Sequence, residues 1–253
     1  MFNIFKLNNN RQLAKKFIQE SPFHQFLSDD LIDRIGQINK QFNNILLISP
    51  ILELEIQNHF KQKYSNCKIT STNIFETKIL QDNELEKYDL IIFPFGLHWL
   101  DDVQFFLKQV HNILEPNGFF IFNFSGGGTL NNLRITLIEL ETKFNSNHYP
   151  HISPFIQFQH MTPLLQHAGF NENIIDHENI ELEYNSPLKL MKALKNCGES
   201  NALQNIEPSI TKLMYEELKK EESLGFIDIV NLITCVSSPN KQSVKLFDKR
   251  FLD

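Results

Sequence analysis

The chain has 253 residues, 42% of them hydrophobic and 21% charged, which is the composition of an ordinary globular protein with a sizeable core. Its net charge of -6 argues against a broad nucleic-acid-binding face. No apolar run approaches the roughly 20 residues needed to span a bilayer. The first residues match neither a signal peptide nor a transit peptide. We therefore expect a cytoplasmic protein with no membrane span.

Cysteine and histidine give no sign of a disulfide framework or a metal site. Cys67, Cys197 and Cys235 are isolated in the sequence. His148 and His151 lie near each other and near His160, but without the helical His/Glu pattern of a zinc site. The sequence thus predicts no metal and fits a reducing compartment.

Residues 1–40 have helical periodicity. One apolar stripe consists of Leu13, Phe17 and Ile18, and a second runs from Leu27 to Ile38. Ser28 precedes two acidic residues and is predicted to be an N-cap. The segment is either a plain helical extension or a lid over the domain that follows, which we place at residues 41–240. Residues 241–253 are expected to be a tail.

The central stretch predicts a β-α-β unit. An apolar run follows Asp89 and suits a strand buried on both faces. Helical spacing then runs from Phe105 to Leu114, Pro116-Asn117-Gly118 breaks it, and a second strand spans Phe119 to Phe124. The sheet should be parallel here, with ligands beyond the carboxyl ends of its strands.

Further strands and helices are predicted on both sides of this unit. Before it, a strand spans Asn44–Ser49, a helix Pro50–Phe60 and a second strand Cys67–Thr72. After it, the remaining predicted elements are helices at Thr129–Phe144, Met161–His167, Pro187–Asn196 and Thr211–Glu222, and strands at Asn173–Tyr184 and Phe226–Val236. Gly169 is expected to end the second of these helices. The last strand should lie next to Phe119–Phe124.

The glycine triplet Gly126-Gly127-Gly128 precedes the helix that Thr129 is expected to cap. Backbone N–H groups at such a position can bind an anion. The triplet is either such a site or a flexible turn.

The segments Asp89–Asp102 (D-L-I-I-F-P-F-G-L-H-W-L-D-D) and Leu114–Phe120 (L-E-P-N-G-F-F) resemble strands four and five of class I S-adenosylmethionine (SAM) methyltransferases. The branch resembled includes malonyl-acyl-carrier-protein methyltransferase and the complex I assembly factor 5 family. Three segments favour the assembly-factor side: G-G-T-L-N-N-L-R to Arg134, P-H-I-S-P-F from Pro150, and G-E-S-N to Asn201. The resemblance implies a Rossmann-like α/β fold with a mostly parallel seven-stranded sheet and an N-terminal helical lid.

The resemblance also implies a SAM pocket at Ser49, Ile51, Asn73, Phe93 and Phe95. The family's glycine-rich loop corresponds to L-L-I-S-P-I-L-E, in which Ser49, Ile51 and Glu53 occupy the glycine positions. Asn73 stands where the family has a carboxylate for the ribose hydroxyls. Side chains at three glycine positions conflict with family-like SAM binding. The expected cofactor is therefore SAM, and the alternative is a protein that binds no cofactor.

Six residues are candidates for catalysis or substrate contact. His98 and Trp99 follow strand four, Arg134 lies on the helix after strand five, His151 lies in a loop, and Glu199 and Asn201 lie in a turn. Trp99 would stack on a ligand or pack in the core. Arg134 would pair a carboxylate or lie on a solvated helix face. By resemblance, Glu199 would hold an arginine side chain.

Three functions follow from the resemblance. The first is a SAM-dependent enzyme that modifies an arginine of a protein such as a respiratory complex subunit. The second is a non-catalytic assembly protein that keeps the fold and has lost SAM. The third is a methyltransferase acting on a small acyl-carrier carboxylate. Fold alone does not separate them.

Overall fold

The computed structural model describes residues 1–48, 53–63, 67–72, 87–144, 149–204, 210–220 and 225–240. These residues divide into two compact units. Unit 1 contains residues 1–21, 125–158 and 177–232, and unit 2 contains residues 22–124, 159–176 and those from 233 on. The predicted tail at 241–253 lies outside the described residues.

The described residues form helices and strands in alternation. The helices are α1 Ile4–Gln19, α2 Pro22–Gly36, α3 Glu53–Lys63, α4 Val103–Ile113, α5 Asn131–Lys143, α6 Phe158–Ala168, α7 Pro187–Asn196 and α8 Lys212–Lys220. The strands are β1 Asn44–Ile48, β2 Lys68–Thr72, β3 Tyr88–Phe93, β4 Leu114–Ser125, β5 Glu172–Tyr184 and β6 Phe226–Ser238. A short 3-10 helix spans Leu97–Trp99. Within these ranges, no helix is both long and apolar enough to cross a bilayer.

The strands form one sheet in the order β2-β1-β3-β4-β6-β5, and all six contribute residues to unit 2. The pairs β1–β2, β1–β3 and β3–β4 are parallel. The α/β fold and the position of the last strand next to β4 are therefore confirmed. Seven strands were expected, and the described part of the chain contains six.

The centre of unit 2 is apolar because its inner strands are covered on both faces. Every residue of β3 is buried, and so are Ile45 to Ile48 of β1. Phe120 and Phe122 of β4 stack with ring centroids 4.4 Å apart. At the other end of these strands, the buried Asp89 carboxylate accepts bonds from the N–H groups of Asn43 and Asn44 at 2.6 and 3.1 Å. This carboxylate fixes the start of β1 beside β3.

Three local predictions were wrong. Ser28 is not an N-cap, because α2 already begins at Pro22 and the Ser28 hydroxyl donates to the carbonyl of Gln25 at 3.0 Å. Leu13, Phe17 and Ile18 do not form one stripe, because Ile18 is buried whereas Leu13 and Phe17 are exposed. Pro116–Gly118 is not the boundary between helix and strand, because α4 ends at Ile113 and β4 already begins at Leu114, with a register shift against β3.

The start of α5 in unit 1 also differs from its prediction. Thr129 does not cap the helix; the N-cap is Leu130, which has φ 55° and gives no side-chain cap. Asp228 of β6 caps it instead, because its carboxylate accepts from the N–H of Leu133 at 2.7 Å and of Asn132 at 3.3 Å. The helix N-terminus is therefore capped by a carboxylate 95 residues away in the sequence, where a neighbouring side chain is the usual cap.

Candidate functional sites

The 3-10 helix after β3 holds His98 and Trp99 in the interior of unit 2. The two side chains are buried, and their ring centroids are 5.4 Å apart. Phe95 lies on the other side of His98, with centroids 4.8 Å apart, and takes the rare φ of 44°. Phe23 of α2 packs edge-on against Phe95 at 5.4 Å. These rings form one aromatic cluster beyond the carboxyl end of β3.

Asn123 of β4 connects this cluster to the N-terminal helices. Its side chain is fully buried. The Oδ1 atom accepts from the N–H of Phe95 at 2.9 Å, and the Nδ2 group donates to the carbonyl of Leu27 at 3.2 Å. One amide therefore satisfies a strained backbone N–H after β3 and holds α2 against it. Within unit 2, α2 covers this strand end as the predicted lid would.

The SAM pocket can be compared only in part. Ser49, Ile51 and Asn73 lie outside the described residues, whereas Phe93 and Phe95 are buried in unit 2. The described residues that end β1 and β2 are Ile48 and Thr72, which are also buried and supply no carboxylate. Ile48 and Thr72 are paired neighbours in the sheet, so the positions that the resemblance assigns to SAM follow directly after two adjacent strand ends.

Three distant segments come together in unit 1. The side-chain amide of Asn201 donates to the carbonyls of Pro150 and His151 at 2.6 and 2.9 Å. The guanidinium of Arg134 approaches the carbonyl of Ile152 at 3.5 Å. The segments ending at Arg134, beginning at Pro150 and containing Asn201 therefore lie side by side. Of the six candidate residues, unit 1 contains Arg134, His151, Glu199 and Asn201, and unit 2 contains His98 and Trp99.

A buried carboxylate and imidazole form the polar centre of this cluster. The Nε2 atom of His151 donates to the carboxylate of Glu141 at 2.8 Å, and the two side chains are 7% and 2% exposed. The same carboxylate accepts from the N–H of Tyr149 at 3.1 Å. With Nε2 as donor, neutral His151 carries an acceptor lone pair on Nδ1. A carboxylate–imidazole pair of this kind can orient a histidine as a proton acceptor.

Glu199 binds an arginine of its own chain. Its carboxylate pairs with the guanidinium of Arg11 on α1 at 3.2 Å, and both side chains are nearly buried. Gly198 has φ +74°, and a Cβ atom there would lie 3.0 Å from the Cα of Arg11, so only glycine lets α1 approach this closely. Beside this pair, burial raises the pKa of the Cys197 thiol, and the charge of Glu199 raises it further.

Two of the three N–H groups of the glycine triplet are hydrogen-bonded within the protein, which argues against an anion site there. The N–H of Gly126 donates to the carbonyl of Asn231 at 2.7 Å, and that of Gly127 to Ile156 at 2.9 Å. Because Asp228 already occupies the start of α5, an anion there would meet a carboxylate. The triplet joins β4 to β6 and to the His151 loop.

Three important residues were missed from sequence: Arg11, Asn123 and Glu141. Each lies inside a helix or strand, in a pattern that would equally suit solvent. A signal existed only for Asn123, as a polar residue within the apolar run Phe119–Phe124. Arg11 and Glu141 acquire their roles from partners 188 and 10 residues away.

Comparison with known proteins agrees with this architecture. A family model described as a methyltransferase domain matches residues 44–122. RP459 of Rickettsia prowazekii, described as a candidate methyltransferase, is 46% identical over 173 residues, which are 66% of this chain and 76% of that protein. The human mitochondrial arginine-hydroxylase NDUFAF5 is 32% identical over 165 residues, covering 65% of this chain and 48% of its own length.

A more distant relative belongs to the other branch. Malonyl-[acyl-carrier protein] O-methyltransferase 1 of Coxiella burnetii is 31% identical over 117 residues, covering 46% of this chain and 39% of its own. The chain thus spans about half or less of the curated relatives that carry a stated activity. RP459, by contrast, is matched over most of its length. The α/β sheet and the sequence similarity agree, and the chain belongs to the class I SAM-dependent methyltransferase family.

Proposed function

We propose that the protein recognises an arginine-bearing segment of a partner protein and modifies that arginine, with SAM as the cofactor that the family implies. A respiratory complex subunit is the partner implied by the resemblance. The observation that carries the proposal is the convergence in unit 1 of Arg134, His151 and Asn201, each from a segment shared with the arginine-modifying branch. The relative named arginine-hydroxylase NDUFAF5 supports the same substrate.

The Glu141–His151 pair supports a nitrogen substrate over a carboxylate. A guanidinium is fully protonated at neutral pH, since its pKa exceeds about 12. Transfer of the methyl group of SAM to one of the guanidinium nitrogens would release S-adenosylhomocysteine and would require that nitrogen to lose a proton. We assign the role of proton acceptor to His151 Nδ1, because Glu141 holds the Nε2 atom at 2.8 Å. A carboxylate substrate is already a nucleophile and needs no base.

Glu199 then has a positioning role. Its carboxylate forms an ion pair with Arg11. Glu199 also lies in the turn that holds Asn201 against the His151 carbonyl. The substrate arginine is therefore assigned to the His151 side of the cluster. Arg134 is half-buried beside Ile152 and would steer an acidic residue of the same partner segment.

The test uses the full chain, SAM and peptides of the partner that contain arginine, lysine or citrulline at the same position. Peptide binding is followed by fluorescence anisotropy, and modification by mass spectrometry. We expect His151→Gln to keep peptide binding within about twofold and to slow modification by about 100-fold or more. His160→Gln, which changes an exposed histidine of α6, should behave like wild type. Equal loss in both variants, or modification of the citrulline peptide, contradicts the proposal.

A non-catalytic assembly protein is the second candidate, and the side chains of Ser49, Ile51 and Glu53 at the family's glycine positions favour it. It predicts that the arginine peptide binds and is recovered unmodified with SAM present. Isothermal titration with SAM would then give no heat. Micromolar SAM binding together with a modified peptide would exclude this candidate.

Arg134 keeps a third candidate open, a methyltransferase for a small carboxylate. Among the described residues, the Arg134 guanidinium contacts one carbonyl oxygen, at 3.5 Å, and so it has N–H donors left for a carboxylate. This candidate predicts methyl ester formation on a malonyl thioester, abolished by Arg134→Ala and unaffected by His151→Gln. The proposed function predicts the reverse for His151→Gln.

A further inference from the structure

The outward face of α1 carries large apolar side chains. Phe5 is 89%, Leu13 71% and Phe17 50% exposed, whereas Leu7, Ala14 and Ile18 on the opposite face are buried. At 3.6 residues per turn, the three exposed side chains lie within about a third of the helix circumference. Exposed hydrophobic residues scattered singly are ordinary, but a row along one helix marks an interaction surface.

This feature is not spread evenly over the molecule. Among the described residues, nearly all the large exposed hydrophobic side chains belong to unit 1, and only Phe26 and Phe105 belong to unit 2. Phe5 and Leu13 of α1 are the two most exposed of these hydrophobic side chains. The outer face of α1 is therefore the most apolar surface that a single described element presents.

The charge of α1 is opposite to that of the chain. Its sequence contains Lys6, Arg11, Lys15 and Lys16 and no acidic residue, in a protein of net charge -6. Arg11 points inward to Glu199, while Lys15 and Lys16 are exposed. An exposed apolar row on a helix that carries lysines and no acidic residue is typical of a helix that lies in a membrane interface.

The inner face of α1 is fixed, so the helix cannot bury its outer row by turning over. The N–H of Asn3 donates to the carbonyl of Ala202 at 2.6 Å, and Phe2 pairs with Leu203 in an antiparallel bridge. The Arg11–Glu199 ion pair holds the middle of the helix. The described residues leave Phe5, Leu13 and Phe17 exposed while these contacts hold α1 in place.

We propose that α1 binds the surface of an anionic lipid bilayer. Phe5, Leu13 and Phe17 enter the boundary between headgroups and acyl chains, while Lys15 and Lys16 pair with lipid phosphates. The basic charge decides between this occupant and an apolar protein groove, because each lysine near an anionic surface adds to binding and an apolar groove gains nothing from it. This inference does not depend on the proposed arginine modification.

Vesicle co-sedimentation of the full chain tests the proposal. Vesicles of phosphatidylcholine alone are compared with vesicles in which about a third of the lipid is phosphatidylserine. We expect binding to the anionic vesicles that weakens with salt, and at least tenfold weaker binding to the neutral ones. The variant Phe5→Ser/Phe17→Ser should lose at least tenfold in affinity, and Lys15→Gln/Lys16→Gln more than tenfold at low salt.

The matched control changes an exposed phenylalanine and lysine on α4 of unit 2, as Phe105→Ser/Lys108→Gln. It should bind like wild type, and all variants should melt within about 2 °C of wild type because the changed side chains are exposed. Absence of binding to either vesicle, equal binding to both, or an equal loss in the α4 control overturns the proposal. So does capture of a protein partner whose binding needs Phe5 and Phe17 but neither lysine.

Discussion

The imidazole of His151 donates to the carboxylate of Glu141 at 2.8 Å, in a place where both side chains are almost completely buried. The Glu141 carboxylate also accepts from the N–H of Tyr149, so it joins α5 to the loop that carries His151. A carboxylate buried this deeply destabilises a fold unless it is hydrogen-bonded. The pair therefore has a structural role whatever chemistry it supports.

Replacing Glu141 should cost stability. Glu141→Ala leaves the Tyr149 N–H and the His151 ring without this acceptor, which lowers the free energy of unfolding by about 1–3 kcal/mol. Glu141→Gln keeps one acceptor oxygen and should cost about half as much. Urea unfolding of both variants measures the difference. Glu139→Ala, an exposed glutamate on the same helix, is the control and should change little. An equally destabilised control would contradict the role of Glu141.

The Arg11–Glu199 pair makes a sharper prediction. Glu199→Ala removes the carboxylate from a guanidinium that is 2% exposed, so unfolding should become easier by about 3–5 kcal/mol. The double variant Arg11→Met/Glu199→Met removes both charges and should recover most of that loss. Thermal and urea unfolding of wild type, Arg11→Met, Glu199→Met and the double variant measure the coupling. Additive losses would show that the two charges do not interact.

Asp228 should stabilise α5 as its cap. Asp228→Ala removes the acceptor for the N–H groups of Leu133 and Asn132, and we expect a loss of about 1–2 kcal/mol in unfolding free energy. Hydrogen exchange should speed up first at the start of α5. Asn131→Ala, at the exposed start of the same helix, is the control. Unchanged exchange at Leu133 in Asp228→Ala would rule out the cap.

Asn123 should determine how firmly α2 is held in unit 2. Asn123→Ala leaves the buried Phe95 N–H and the Leu27 carbonyl without their partner, at a cost of about 1–3 kcal/mol. Exchange at the amides of α2 should rise more than exchange at β3. Asn117→Ala, an exposed change on the same strand, leaves α2 as in wild type. Equal acceleration across α2 and β3 would instead indicate global destabilisation.

The cysteines should differ in reactivity with pH. Burial raises the pKa of the Cys235 thiol far above its ordinary value of 9.0, and burial also raises those of Cys67 and Cys197. The reactive thiolate of Cys235 is therefore scarce in the folded protein, and rising pH above about 9 favours the unfolded state, where this thiol ionises freely. Iodoacetamide at pH 8 should leave Cys235 unmodified while Cys67 and Cys197 react slowly. Mass spectrometry of peptides reads each site, and rapid labelling of Cys235 in the native protein would contradict its burial.

Regular patterns in the sequence were sufficient for much of the fold. The apolar run after Asp89 predicted a strand covered on both faces, and β3 is buried throughout. The helix predicted at Pro187–Asn196 is found with the same bounds, because Ser186 and Pro187 set its start locally. Asp102 caps α4 as a local side chain. Periodicity and capping act within a few residues, and for that reason they are visible in one dimension.

The candidate site was harder to predict from the sequence than the fold. Arg134, His151 and Asn201 were singled out because their segments resembled a family, and the structure then brought those segments together. Their partners could not be anticipated. Leu13, Phe17 and Ile18 were predicted to form one stripe, but only Ile18 is buried, because hydrophobic periodicity does not tell which face of a helix is covered.

By itself, the sequence determined the parallel α/β unit, since apolar runs and helical spacing depend on residues that are close along the chain. The side chains at glycine positions between Leu46 and Glu53 were identified through the family resemblance. Only the tertiary structure decided that Arg11 binds Glu199, that Asp228 caps α5 and that Glu141 holds His151. A charged residue can satisfy its hydrogen bonds with water or with any partner the fold brings near. Which of these it does is settled by burial, and burial exists only once the chain has packed.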